Sequence, residues 1–140
     1  MKRWNGVALT LCSFLCTGLL CACSAPPYQP VSPGRTARIH FVDFDKPEIC
    51  VSGERFSLTP DASGHASVPA AGTVHLLGSY RRGAGECSPA VKFAPQAGQT
   101  YEVVNDVRAE KCMVNVMRHD ASAQYGLRVE PSANAARICR

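Results

Sequence analysis

Cys50, Cys87, Cys112 and Cys139 offer the clearest chemistry in the chain. Thiols form disulfides, exchange electrons or hold zinc, and spacing separates these uses. Redox exchange usually needs a close pair such as Cys-x-x-Cys, in which one thiolate resolves the other. These four are widely spaced and contain no such pair. Zinc sites draw on closely spaced Cys and His ligands. No histidine of this chain sits three to five residues from another, so no metal site is expected. An even number of cysteines outside the cytosol forms disulfides by default, and four allow three pairings.

Other candidate residues carry weaker signals. Asp43 and Asp45 place two carboxylates on one face at a strand end. They lack the ligand-rich loop that calcium requires, so a solvated pair is expected. Arg81 and Arg82, with Glu86 in a glycine-containing loop, form a candidate binding element for an anion or a carboxylate. The plainer reading of that loop is charge that keeps it solvated. The stretch Asp61 to His65 is turn chemistry ending in Gly64, not a hydrolase fragment. No Gly-x-Ser-x-Gly elbow occurs in the sequence. His40, His65, His75 and His119 are scattered and read as surface or hydrogen-bonded residues. No catalytic residue, cofactor or enzymatic activity is expected.

Composition sets the frame for these residues. Apolar residues make up 46% of the chain, enough to build a core, which excludes wholesale disorder. A length of 140 residues allows one folded domain. The net charge of +4 is too small and too dispersed for a nucleic-acid binder.

The amino-terminal stretch is read as an address. Lys2 and Arg3 precede an uncharged apolar run from Gly6 to Leu20. That run is short for a membrane span and has the layout of a secretory signal. At its end, Leu20-Cys21-Ala22-Cys23 resembles the lipobox of bacterial lipoproteins. The resemblance implies cleavage before Cys23, diacylation of its sulfur by chains such as palmitate, and acylation of the new amino terminus. Each buried methylene contributes about 0.8 kcal/mol, so several chains on one residue anchor durably in a bilayer. Ser24 after the cysteine implies sorting to the outer membrane, with the domain facing the periplasm. An ordinary signal-peptidase site after Ala22 or Ala25 is the alternative. Residues 1–22, including Cys12, Cys16 and Cys21, then leave with the signal.

Residues 23–36 follow as a lipidated cysteine and a tether holding Pro26, Pro27, Pro30, Pro33 and Gly34. Prolines favour an extended chain, here roughly 30–40 Å at full reach. From residue 37 the pattern changes to period two, the mark of half-buried strands. Strands are expected over 37–44, 48–51, 54–58, 65–68, 73–80, 88–93, 99–105, 111–117 and 125–129. Residues 81–86 read as a loop, and 132–138 as a turn or two of helix. Many short strands separated by Gly and Pro turns predict an all-β domain over 37–140, a small disulfide-stapled antiparallel β-sandwich or a partly open barrel.

Side-chain parity bears on the disulfides. Cys87 shares parity with Val91 and Phe93, and Cys112 with Val114 and Val116, so both thiols are expected to point inward. Cys50 has the opposite parity from Ile49 and Val51, and Cys139 lies beside the terminus. The expected bridges are therefore Cys87–Cys112 and Cys50–Cys139. Met113 and Met117 fall on the face opposite Cys112, a methionine strip expected to be covered by another sheet. Two elements, Pro69 to His75 and then Phe93, Gly98 and Tyr101, resemble motifs of PEGA-like and transthyretin-like β-sandwich domains of bacterial envelope proteins. That resemblance implies a binding or accessory module.

The resulting expectation is a non-catalytic outer-membrane lipoprotein. It contacts the bilayer through acylated Cys23, engages an envelope protein partner and binds no nucleic acid. The alternative is an inhibitor of a periplasmic or extracellular enzyme such as lysozyme. Known lysozyme inhibitors are also small disulfide-bonded β lipoproteins, but their serine- and tyrosine-containing motifs are not found in this sequence.

Overall fold

The computed structural model describes residues 24–30, 34–83, 85–108, 111–137 and 139. The signal segment and Cys23 lie outside the described residues. Twelve strands occur, and no helix is found among the described residues. They are β1 (Thr36–Val42), β2 (Glu48–Val51), β3 (Glu54–Ser57), β4 (His65–Pro69), β5 (Val74–Leu77) and β6 (Tyr80–Arg82). The rest are β7 (Gly85–Cys87), β8 (Ala90–Phe93), β9 (Thr100–Arg108), β10 (Lys111–His119), β11 (Leu127–Val129) and β12 (Asn134–Ala135).

These strands form two five-stranded sheets and one small hairpin. The first sheet has the order β11-β10-β9-β1-β4, and the second β12-β8-β5-β2-β3. Pairing is antiparallel except between β1 and β9, which run parallel. A parallel neighbour needs a long crossover. Here the chain supplies it by passing through both sheets between Val42 and Thr100. The sheets do not close into a barrel. The fold is an all-β sandwich with two disulfides.

Alternation builds the core. Ala37, Ile39, Ala66, Val68, Tyr101, Val103 and Val116 point inward from the first sheet. Ile49, Val74, Leu76, Val91 and Phe93 meet them from the second. Phe93 and Tyr101 stand edge to face across the layers, with ring centres 5.2 Å apart. That arrangement sets the positive ring edge against the negative face. A polar strut also spans the layers: Ser132 donates its hydroxyl to Glu130, while its oxygen accepts the Ala94 N–H.

Turns follow their residues. Ser52 and Gly53 both take positive φ, 53° and 83°, and join β2 to β3 as a two-residue hairpin loop. The positive φ values match the right-handed twist of the strands. Three departures from the sequence expectation have simple causes. Residues 80–87 form the β6–β7 hairpin instead of a loop, since three-residue strands leave no alternation to read. The expected helical turn over 132–138 gives way to β12, which pairs with Lys92 and Val91 at a sheet edge. The 73–80 strand breaks at Gly78, so Tyr80 starts a separate element.

Residues 26–28, within the stretch read as a tether, dock on β3. Ser57 donates its N–H to the Pro26 carbonyl and accepts the Tyr28 N–H, each at 2.8 Å. The Tyr28 ring stands edge to face on Phe56 at 6.0 Å. This contact covers an exposed strand edge, which would otherwise invite pairing with another chain.

Candidate functional site

The outer face of the first sheet gathers the most polar chemistry. Its inward residues Ile39, Ala66, Tyr101 and Val116 are buried, so their neighbours along each strand point to solvent. Register then defines a row across all five strands. His65 lies opposite His40, His40 opposite Glu102, Glu102 opposite Met117, and Met117 opposite Val129. His119 joins from the adjacent row, its Nε2 lying 3.4 Å from a Glu102 carboxylate oxygen. Three histidines share this face with the carboxylates of Glu102 and Asp106.

The histidine end of the row is held by the turn before β4. Asp61 accepts hydrogen bonds from the Ser63 hydroxyl at 2.5 Å, the Ser63 N–H at 2.8 Å and the His65 N–H at 3.1 Å. These bonds favour the charged carboxylate and hold its pKa near 2, below the ordinary 3.8; the Ser63 hydroxyl is the largest cause. Arg38 donates to the Ser63 oxygen at 2.8 Å and lies 3.5 Å from the second Asp61 oxygen. Gly64 completes the turn at φ +79°, a conformation that side chains disfavour.

This network does not make a nucleophile. The Ser63 proton is committed to Asp61, and Arg38 occupies the oxygen. His65 Nδ1 faces the Ser63 carbonyl at 3.0 Å and the hydroxyl oxygen at 3.1 Å. A carbonyl only accepts, so Nδ1 is the protonated ring nitrogen and cannot serve Ser63 as a base.

At the other end of the face, apolar side chains are exposed. Met113 is 43% exposed and Val129 65%; Met117, half-buried, lies opposite Val129, and exposed Asn115 separates it from Met113. The expectation that another sheet covers these methionines does not hold. The second sheet packs on the opposite side, against Val116 and its neighbours.

The remaining sequence-derived candidates are dispersed. The structure joins Cys87 to Cys112 and Cys50 to Cys139. Cys112 is nonetheless exposed, contrary to the inward expectation. It has the core-facing parity, but this end of β10 extends past the core. The bridge there staples the β6–β7 hairpin to the β9–β10 hairpin. Arg81 pairs with Glu86 directly across the β6–β7 hairpin, at 3.5 Å and largely in solvent. The Arg82 side chain lies outside the described residues. Asp43 and Asp45 sit in an exposed turn, with Asp45 N–H bonded to the Ser79 carbonyl. Among the described residues, no three His, Cys, Asp or Glu side chains are grouped to hold a metal ion.

Sequence reasoning missed the His40–His65–Glu102 arrangement. The outward parity of His40 and His65 was readable, but their meeting depends on which strands pair. No family model, curated protein or solved structure matches this chain.

Proposed function

We propose that the protein is an outer-membrane lipoprotein whose β domain serves as a non-catalytic, protein-binding accessory module of the cell envelope. The observation that carries this reading is Leu20-Cys21-Ala22-Cys23 at the end of an apolar run that follows Lys2 and Arg3. Two disulfides support a location in an oxidising compartment. The open face bearing Met113, Met117 and Val129 supports a binding role, because adaptable methionine surfaces suit protein contacts.

Intact-mass measurement of the chain extracted from membranes tests the anchor. The expected product starts at Cys23, carries acyl chains and has no free thiol. A Cys23→Ala variant is expected to lose both acylation and cleavage before residue 23. An intact mass that retains residues 1–22, or a non-acylated chain, overturns the lipoprotein reading. For the binding role, a photo-crosslinker at Val129 is expected to capture an envelope protein in living cells, and one at exposed Glu54 is not. Equal capture from both positions, or none, overturns it.

A further inference from the structure

We propose that His40 and His65 form a seat for a divalent first-row transition ion of the imidazole-preferring class, zinc, copper or nickel. The two residues lie 25 positions apart in sequence, yet face each other directly across the β1–β4 pair. Their ring centres are 5.3 Å apart. Two imidazoles sharing one tetrahedral ion, with metal–nitrogen bonds of about 2.0–2.1 Å, hold their ring centres roughly 5 Å apart. The ring spacing is therefore that of a ligand pair, with the two planes inclined at 32°.

The orientation of both rings favours binding. His65 donates Nδ1–H to the Ser63 carbonyl, which leaves its Nε2 with a free lone pair. A backbone carbonyl on the far nitrogen is the usual way a ligating histidine is fixed in tautomer and direction. The Nε2 edge of His40 is turned toward the same segment, 3.5 Å from where a side chain on Gly64 would begin. Both rings are partly exposed, so water can complete the coordination shell.

Charge around the pair supports a cation. Glu102 lies opposite His40 on its other side, and His119 leans on that carboxylate. Arg38, on the same strand as His40, is paired with Asp61. With only two protein ligands the seat is open, and it keeps positions free for water or for a donor from another molecule. Imidazole ligands favour copper, nickel and zinc over magnesium or calcium, which require oxygen-rich sites.

The test uses the purified chain and metal salts alone. Substoichiometric Ni²⁺ or Cu²⁺ at about pH 7.5 is expected to broaden the backbone NMR signals of residues 40 and 65 first. Zn²⁺ in large excess is expected to displace Ni²⁺ and restore those signals. His40→Ala and His65→Gln should each weaken binding about tenfold or more, whereas His75→Ala should leave it unchanged. Should one variant fail to fold, the other still decides. Broadening centred on His75 or His119, equal broadening at every histidine, or binding that survives His40→Ala overturns the proposal. The outcome is independent of whether Cys23 is acylated.

Discussion

Cys139 is bonded to Cys50, which lies on β2, three strands in from the β12 edge that the tail leaves. The tail pairs at Asn134 and Ala135, and Ala136 N–H bonds the Ala90 carbonyl. The bridge ties the end of the tail to an inner strand of the second sheet, and its sequence separation is 89 against 25 for Cys87–Cys112.

Loop length ranks the two bridges. On the chain-entropy account, the longer loop stabilises by about 4–5 kcal/mol and the shorter by about 3–4 kcal/mol. Cys139→Ser paired with Cys50→Ser is therefore expected to lower urea stability more than Cys87→Ser paired with Cys112→Ser. The second bridge joins two hairpins beyond the core, so its removal should lower core amide protection by no more than this smaller global loss. Equal losses in the two paired variants would overturn the ranking by loop length.

Tyr101 supplies a polar contact from within the core. Its ring is fully buried against Phe93, and its hydroxyl oxygen accepts the Gln96 N–H at 3.0 Å. Tyr101→Phe keeps the ring and leaves that N–H without its partner. A loss of about 1–2 kcal/mol is expected in equilibrium unfolding. Tyr125→Phe, at a residue 83% exposed, serves as a control with no measurable change.

The sequence showed the strands wherever one face had to be apolar. Ile39 alternates with Arg38 and His40, and Tyr101 and Val103 with Glu102, so β1 and β9 were readable. Short elements escaped because they bury little: β6, β7 and β12 carry two or three residues each and no alternation. Cys112 shows where parity stops being informative. Direction along the strand is local, whereas depth depends on where the opposing sheet ends. The His40–Glu102 neighbours were illegible for a further reason. They meet through the parallel β1–β9 pair, and a long crossover leaves no turn signal to fix that partnership.

Ser52 occupies a position better suited to another residue. Its φ of +53° is left-handed, where Asn and Gly are favoured and Ser is not. The following Gly53, at +83°, already suits the hairpin loop. Ser52→Asn is expected to raise stability by about 0.5–1 kcal/mol, read from the urea midpoint at unchanged slope. Gly53→Ala should act in the opposite direction, since it places a side chain in that same backbone region. A destabilising Ser52→Asn would mean that the loop conformation is dictated from outside the hairpin.

Asp61 ties acid stability to the histidine row. Its pKa is held near 2 by the Ser63 hydroxyl first, then by the His65 N–H, with Arg38 a lesser cause. A carboxylate with a depressed folded-state pKa stabilises the fold above its ordinary value of 3.8, and that contribution disappears as pH falls through about 2. The turn should therefore keep its bonds at pH 4 and lose them in the acid range below. The carboxyl carbon shift of Asp61 is expected to titrate near 2. In Ser63→Ala the midpoint should rise toward 3.8, because the strongest bond to the charged form is removed. The same variant removes one acceptor beside His65 Nδ1 and leaves the carbonyl, so the ring tautomer should persist and be visible in its nitrogen shifts. If the Asp61 midpoint instead stays at its wild-type position in Ser63→Ala, the backbone N–H groups alone hold the carboxylate, and the hydroxyl is a passenger in the turn.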